Sequence, residues 1–186
     1  METATANPVA TGSKTKWVSD PTHSELSFKV KHLMITNVKG EFRKFTAEME
    51  GNDFTTSKIK VTIDPSSIYT NDDSRDGHLK NADFFDVEKH KEILFDGTSF
   101  KKLDQENYQL KGLLTMKGIS KEVILDVEYA GITKDPWGNE KAGFSLQGKI
   151  NRLDWGLNFN ATLETGGLLL SNEIKISAEI QFVKQS

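Results

Sequence analysis

Three sets of residues in this chain carry side chains that chemistry uses. Asp20, His23 and Ser24 supply the parts of a Ser-His-Asp relay, in which a carboxylate orients an imidazole and the imidazole takes a hydroxyl proton. Ser24, however, stands at the start of an alternating strand pattern, without the nucleophile elbow or glycine-rich oxyanion loop the reaction needs. His78 with Asp76 and Asp83 offers nitrogen and oxygen ligands to a cation, yet His23, His32, His78 and His90 show no tight metal-ligand spacing. There is no cysteine, so thiol catalysis and disulfides are excluded. A Walker A motif and a dinucleotide fingerprint are also missing, and no cofactor is expected.

The third set is His32 and Arg152, singled out by their phase. Leu26, Phe28 and Val30 alternate with polar residues as one face of a half-buried strand, and the next position on that face is His32. Phe144, Leu146 and Ile150 share a later face, and its next position is Arg152. Two polar side chains therefore fall on the side that should be buried. They can hydrogen-bond the polar head of a ligand whose tail lies among the apolar residues, since a buried cation is costly unless paired. Alternatively, Arg152 pairs with Asp154 or another rim carboxylate and His32 bonds a loop carbonyl, as at the closed end of an ordinary barrel.

The elements that must position these residues are mostly strands. Residues 1–16 have nothing to bury and are expected to be a mobile tail, with one ordered domain over residues 17–186. Asp20-Pro21-Thr22 is turn chemistry before the first long strand. The apolar phase slips by one between Phe42 and Phe45, as a β-bulge at Arg43-Lys44 would make it do. Ile59, Val61 and Ile63 form the next strand, ended or kinked at Asp64-Pro65. Further strands follow from Ile93 and Phe95 to Phe182, and Tyr108–Met116 with Val123–Tyr129 has the spacing of a hairpin. One stretch breaks the pattern: residues 71–86 open with Asn and Asp capping candidates, and Leu79, Ala82 and Phe85 recur every three residues, which predicts a short helix. It is too narrow to make its own core, so Leu79, Phe84 and Phe85 must pack on a barrel mouth, as a plug or as a lid over a ligand cavity. Eight to ten mostly antiparallel strands leave a β-sandwich or an up-and-down barrel, and glycines at Gly40, Gly97, Gly112, Gly131 and Gly148 allow curvature.

A net charge of -3 creates a field that repels nucleic acid and anionic headgroups overall, and no apolar run is long enough for an integral membrane helix. The N-terminus lacks the basic and apolar regions of a signal peptide, so a cytoplasmic location is expected.

Several segments in order resemble the YceI family of lipocalin-like barrels. They are Asp20-Pro21-Thr22-His23-Ser24 with Phe28, Val30 and His32-Leu33; Gly40-Glu41-Phe42; Arg75-Asp76 with His78-Leu79; and Asp83-Phe84-Phe85-Asp86. Leu114-Thr115 with Gly118, Asp135-Pro136-Trp137-Gly138, Gly143-Phe144 and Ile150-Asn151-Arg152 through Asp154-Trp155-Gly156 complete the set. The chain departs from the family at His90-Lys91 and Lys121-Glu122, and the export signal that many relatives carry is not expected from its first residues. The resemblance implies an all-β fold: an extended up-and-down antiparallel barrel of about eight strands with one short capping helix. It also implies an apolar tunnel that holds a polyisoprenoid, a quinone or another long-chain lipid, for sequestration or transport, without catalysis. The residues expected to line the tunnel are Leu26, Phe28, Val30, Phe42, Ile63, Phe84, Phe85, Phe95, Leu114, Phe144, Leu146, Ile150, Ile176 and Ile180, with Leu79 from the helix and His32 and Arg152 as polar anchors. The competing expectations are a filled barrel acting as a protein-interaction or stress-response module, and an enzyme acting on a bound lipid through His32 or His78. A two-fold dimer is the expectation from general frequency.

Overall fold

The computed structural model describes residues 13–186, so residues 1–12 of the expected tail lie outside it. The strands follow one another as β1 (Lys16–Ser19), β2 (Glu25–His32), β3 (Thr36–Phe42), β4 (Phe45–Glu50), β5 (Lys58–Ile63) and β6 (Ile68–Tyr69). After the helix α1 (Asp73–Lys80) come β7 (Ile93–Lys102), β8 (Asn107–Met116), β9 (Ile119–Lys134), β10 (Glu140–Asn151) and β11 (Leu170–Lys184). Every pairing is antiparallel, and β1, β4, β5, β7, β8, β9, β10 and β11 form a ring of eight closed by β1 against β11 through Trp17↔Lys184, Val18↔Val183 and Ser19↔Phe182. The barrel alternative is therefore the right one, and no sandwich forms.

Eleven strand segments build an eight-stave wall because the first three staves are each broken once. β2 continues β1 along β11, β3 continues β4 along β2, and β6 continues β5 along β3. The slip at Arg43-Lys44 is thus a bend between two strands with different neighbours, where a bulge in one strand was expected. It is tied to the break between β5 and β6 by Arg43 N–H to Ser67 O (3.2 Å) and Asp64 N–H to Lys44 O (3.0 Å). Two neighbouring staves therefore bend at the same level. Real bulges occur where the β7–β8 register shifts between Gly97 and Ser99 and where Gly143 and Phe144 face Gly131 and Tyr129. Gly131, at φ 100°, suits the second.

Asp20 organises the first break. Its carboxylate accepts from Thr22 Oγ1 (2.7 Å), Thr22 N (3.0 Å) and Lys141 Nζ (3.1 Å), and it lies 3.0 Å from His23 Nδ1. Ser24 Oγ, meanwhile, belongs to Gln181, accepting from its N–H at 3.1 Å. The Ser-His-Asp grouping is therefore a strand-break clamp in which the serine does not meet the histidine.

The Thr22 hydroxyl first, then His23, with Thr22 N–H and Lys141 behind them, hold the Asp20 carboxyl well below the usual carboxylate range. A depressed folded-state pKa contributes stability that is full above the unfolded value and lost as pH falls through the folded one. Asp20→Asn is expected to lower stability by about 1–2 kcal/mol at pH 7. Urea unfolding at stepped pH should show the gap between variant and wild type shrinking below about pH 4.

Candidate functional site: an apolar cavity closed at one end

Inside the wall lies a cavity of about 360 Å³, within the ~300–1,000 Å³ range of small-molecule sites. All the residues expected to line a tunnel border it: Leu26, Phe28, Val30, His32, Phe42, Ile63, Leu79, Phe84, Phe85, Phe95, Leu114, Phe144, Leu146, Ile150, Arg152, Ile176 and Ile180. Those on strands share the lumen because each stave shows it every second side chain.

One end is sealed by rings. Phe54, on a 3₁₀ turn whose cap Asp53 accepts from Thr55 N at 2.7 Å, sits edge-on to Trp17 (5.7 Å), Tyr129 (5.5 Å) and Phe144 (5.4 Å). Phe100 stacks on Tyr108 and Phe144 meets Phe182 in the same cluster. This plug lies opposite the predicted helix and was not anticipated, because Phe54 stands in a turn with no phase to read.

The other end carries the polar side chains of the lining. Apart from Ser27, the polar lining residues are His32, Thr70, Arg75, His78 and Arg152, all at this end. The His78 side chain borders the cavity and is 38% exposed. The helix predicted over 71–86 is shorter, Asp73–Lys80, capped by Asp72 accepting from Arg75 N at 3.0 Å and ending at Asn81. Leu79, Phe84 and Phe85 do cover the mouth, the last two from turns after the helix, while Ala82 is exposed. Buried Asp76 accepts from Thr70 N (2.9 Å) and Thr70 Oγ1 (2.5 Å), and Arg75 donates from Nε to Thr70 Oγ1 and from Nη2 to Thr70 O, both at 2.8 Å. His78 Nε2 lies 2.8 Å from Asp83 Oδ2 and its ring meets Phe84 and Phe159 edge-on. The His78, Asp76 and Asp83 grouping consequently does not assemble, since Asp76 is committed to Thr70. Arg75 and Thr70 were missed because a one-turn helix entrance carries no alternation.

Arg152 is the anomaly of the mouth. It is 2% exposed and pairs with no carboxylate among the described residues, which corrects the expected pairing with Asp154. Its Nε donates to Ser171 O (2.9 Å) and its Nη1 to Phe159 O (2.9 Å) and Leu157 O, while Nη2 is buried with no partner. Burial pushes its pKa down. A 3₁₀ turn over Arg152–Trp155 positions it, with Asn151 as cap, Gly156 at φ 72° and Trp155 Nε1 donating to Leu114 O at 2.9 Å. The His32 ring has no hydrogen-bond partner among the described residues; the expected loop-carbonyl bond is not made.

Three inward glycines have a use the sequence did not reveal. A Cβ on Gly40 would stand 2.3 Å from Phe28 Cζ, one on Gly112 2.3 Å from Phe95 Cζ, and one on Gly148 2.5 Å from Leu125 Cδ2. The large side chains lie flat over glycine instead of crossing the lumen. The cavity stays open for that reason.

A profile described as the YceI-like domain matches residues 17–182. A UPF0312 protein of Staphylococcus aureus (strain bovine RF122 / ET3-1) is 44% identical over 171 residues, covering 90% of this chain and 97% of the relative. The crystal structure of the Campylobacter jejuni YCEI protein, 35% identical, superposes with a TM-score of 0.70 over 84% of this chain and 90% of that one. A polyisoprenoid binding domain from Saccharophagus degradans, at 14% identity, has a TM-score of 0.63 over 91% of this chain and 98% of that one, which is a likeness of fold.

Gly40→Ala should turn the Phe28 ring into the lumen. Uptake of a fluorescent long-chain probe is expected to fall at least about tenfold while stability drops by no more than about 2 kcal/mol. A filled core would give the reverse pattern, a large stability loss with no uptake to lose.

Proposed function

The chain belongs to the YceI-like domain family, and from that premise we propose that it binds one long-chain amphiphile, tail inward, and sequesters or carries it without converting it. The observation that carries the reading is Arg152: a buried guanidinium with an unpartnered nitrogen and no carboxylate, placed where an apolar cavity becomes polar. A buried charge of this kind is costly alone, and the polar or anionic head of a ligand is the counterpart it lacks. His32, with a free ring, and Arg75 stand on the same rim. The tail gains about 0.8 kcal/mol for each CH₂ removed from water, so the apolar wall supplies affinity and the rim supplies direction.

A polyisoprenoid or a quinone tail suits the lumen, and the fold neighbour named as a polyisoprenoid binding domain supports that class. The His78–Asp83 pair favours a second reading, acid–base chemistry on the bound head, because an imidazole held by a carboxylate beside a cavity has the parts of a general base.

Native mass spectrometry of the freshly purified protein, followed by organic extraction, is expected to give one long-chain species per chain. An apo mass with no uptake of added isoprenoid or quinone would sink the proposal. Recovery of a converted product that disappears in His78→Ala would establish the second reading in its place. For the head, a long-chain acid is expected to bind about tenfold or more tighter than its methyl ester, measured by competition with a fluorescent chain.

A further inference from the structure

The turn between β2 and β3 is built from residues that turns avoid. Leu33 and Met34 have φ of 50° and 62°, the left-handed region that favours Gly and Asn, and Ile35 N–H closes the turn on His32 O at 3.2 Å. The three side chains do not enter the core: Leu33 is 38%, Met34 52% and Ile35 77% exposed. Leu168, 39% exposed, adjoins them, since Leu33 N–H donates to Leu169 O at 2.9 Å and Met34 Cγ occupies the space over Gly167. The patch borders the mouth, because His32 and Leu169 line the cavity. Three successive apolar side chains at an exposed tip form a surface that water does not suit.

The wall behind this tip carries a row of like charges. The register sets Lys39 opposite Lys29, Lys29 opposite Lys175, and Lys175 opposite Lys149, across four adjacent strands. All four are exposed. Lys149 reaches Glu173 at 3.6 Å, and the other three have no ion pair among the described residues. Like charges directly opposite one another destabilise a sheet, so the row works against the fold that holds it. Lys31 lies between the row and the tip. On the same strands Glu25, Glu41 and Glu179 lie on the side away from the tip, Glu173 lies on the tip side as the partner of Lys149, and Glu164 is exposed on the loop beside Leu168. The overall charge of -3 hides this row of lysines.

We infer that the mouth end docks on an anionic lipid bilayer, with Leu33, Met34 and Ile35 inserted among the acyl chains and the lysine row against the headgroups. The distances agree. Lys29 precedes the tip by four residues, so the row stands about 13 Å above it, and a lysine stem reaches down part of that way to the phosphate layer. A membrane supplies in one partner both the apolar phase for the tip and the negative charge for the row. It also lets a hydrocarbon tail pass into the cavity without crossing water, which is the only point at which the inference rests on the proposed function. The overall charge implies repulsion from anionic headgroups; the lysine row reverses that locally.

The test is flotation of the full chain with vesicles of phosphatidylcholine alone and of phosphatidylcholine with about one third phosphatidylserine. Wild type is expected to bind the anionic vesicles at least about tenfold more tightly, with binding weakened by salt. Ile35→Asn with Met34→Ser, and separately Lys29→Gln with Lys39→Gln and Lys175→Gln, should each lower that binding about tenfold or more. Both sets change exposed side chains, and circular dichroism checks that they stay folded. Trp137→Ala is the control, since Trp137 is 84% exposed on the loop at the opposite end. Equal binding to both vesicle types, wild-type binding by the tip variant, or loss of binding in Trp137→Ala would each overturn the docking. Vesicle binding is read without a cavity ligand, so its failure leaves the assignment of the cavity standing, and an empty cavity leaves the docking standing.

Discussion

Closure of the wall by three residue pairs between β1 and β11 is the constraint on which the rest depends. Without it the sheet has two free edges whose N–H and C=O groups need partners; with it every stave has two neighbours over the closed part of the ring. An eight-stave ring has an interior at the limit between filled and hollow. Whether it holds a ligand is then decided by small features: which inward positions carry a side chain, and where the staves break.

The glycines and the breaks act together. Gly40, Gly112 and Gly148 give up their side chains so that Phe28, Phe95 and Leu125 can lie against the wall, and the lumen survives. Breaks at Asp20–Ser24, Arg43–Lys44 and Asp64–Ser67 separate a sealed half, plugged by Phe54 and its ring cluster, from a half where β2, β3 and β6 run on beside α1. The Asp20 and Asp64 carboxylates hold two of these breaks by accepting backbone N–H groups that the ladder no longer serves.

Polarity is distributed along the axis in the same sense. The sealed end is closed by aromatic rings, the middle is apolar, and the mouth carries Arg152, Arg75, His32 and His78. Arg152 also has a structural duty there, because its guanidinium gathers the carbonyls of Leu157, Phe159 and Ser171 and so holds the long loop before β11 against the barrel. One side chain thus shapes the mouth and charges it.

The sequence by itself determined an all-β chain, its inward positions and the two anomalous ones, because period-two alternation is a local property that each strand displays regardless of its neighbours. Leu26 through His32 and Phe144 through Arg152 were legible for that reason. Alternation left sandwich and barrel both open, and only the family resemblance pointed to the barrel. Only the tertiary structure decided what those positions do: Arg152 meets backbone carbonyls from a loop with no periodic signal, and Asp154 does not reach it. The helix came out shorter than its pattern because Leu79, Ala82 and Phe85 recur at a spacing that successive turns also produce. The plug at Phe54, the roles of Arg75 and Thr70, the glycine–ring pairs and the lysine row all depend on register, on which residue stands opposite which. Register is set by the closure of the whole ring, and no single strand contains it.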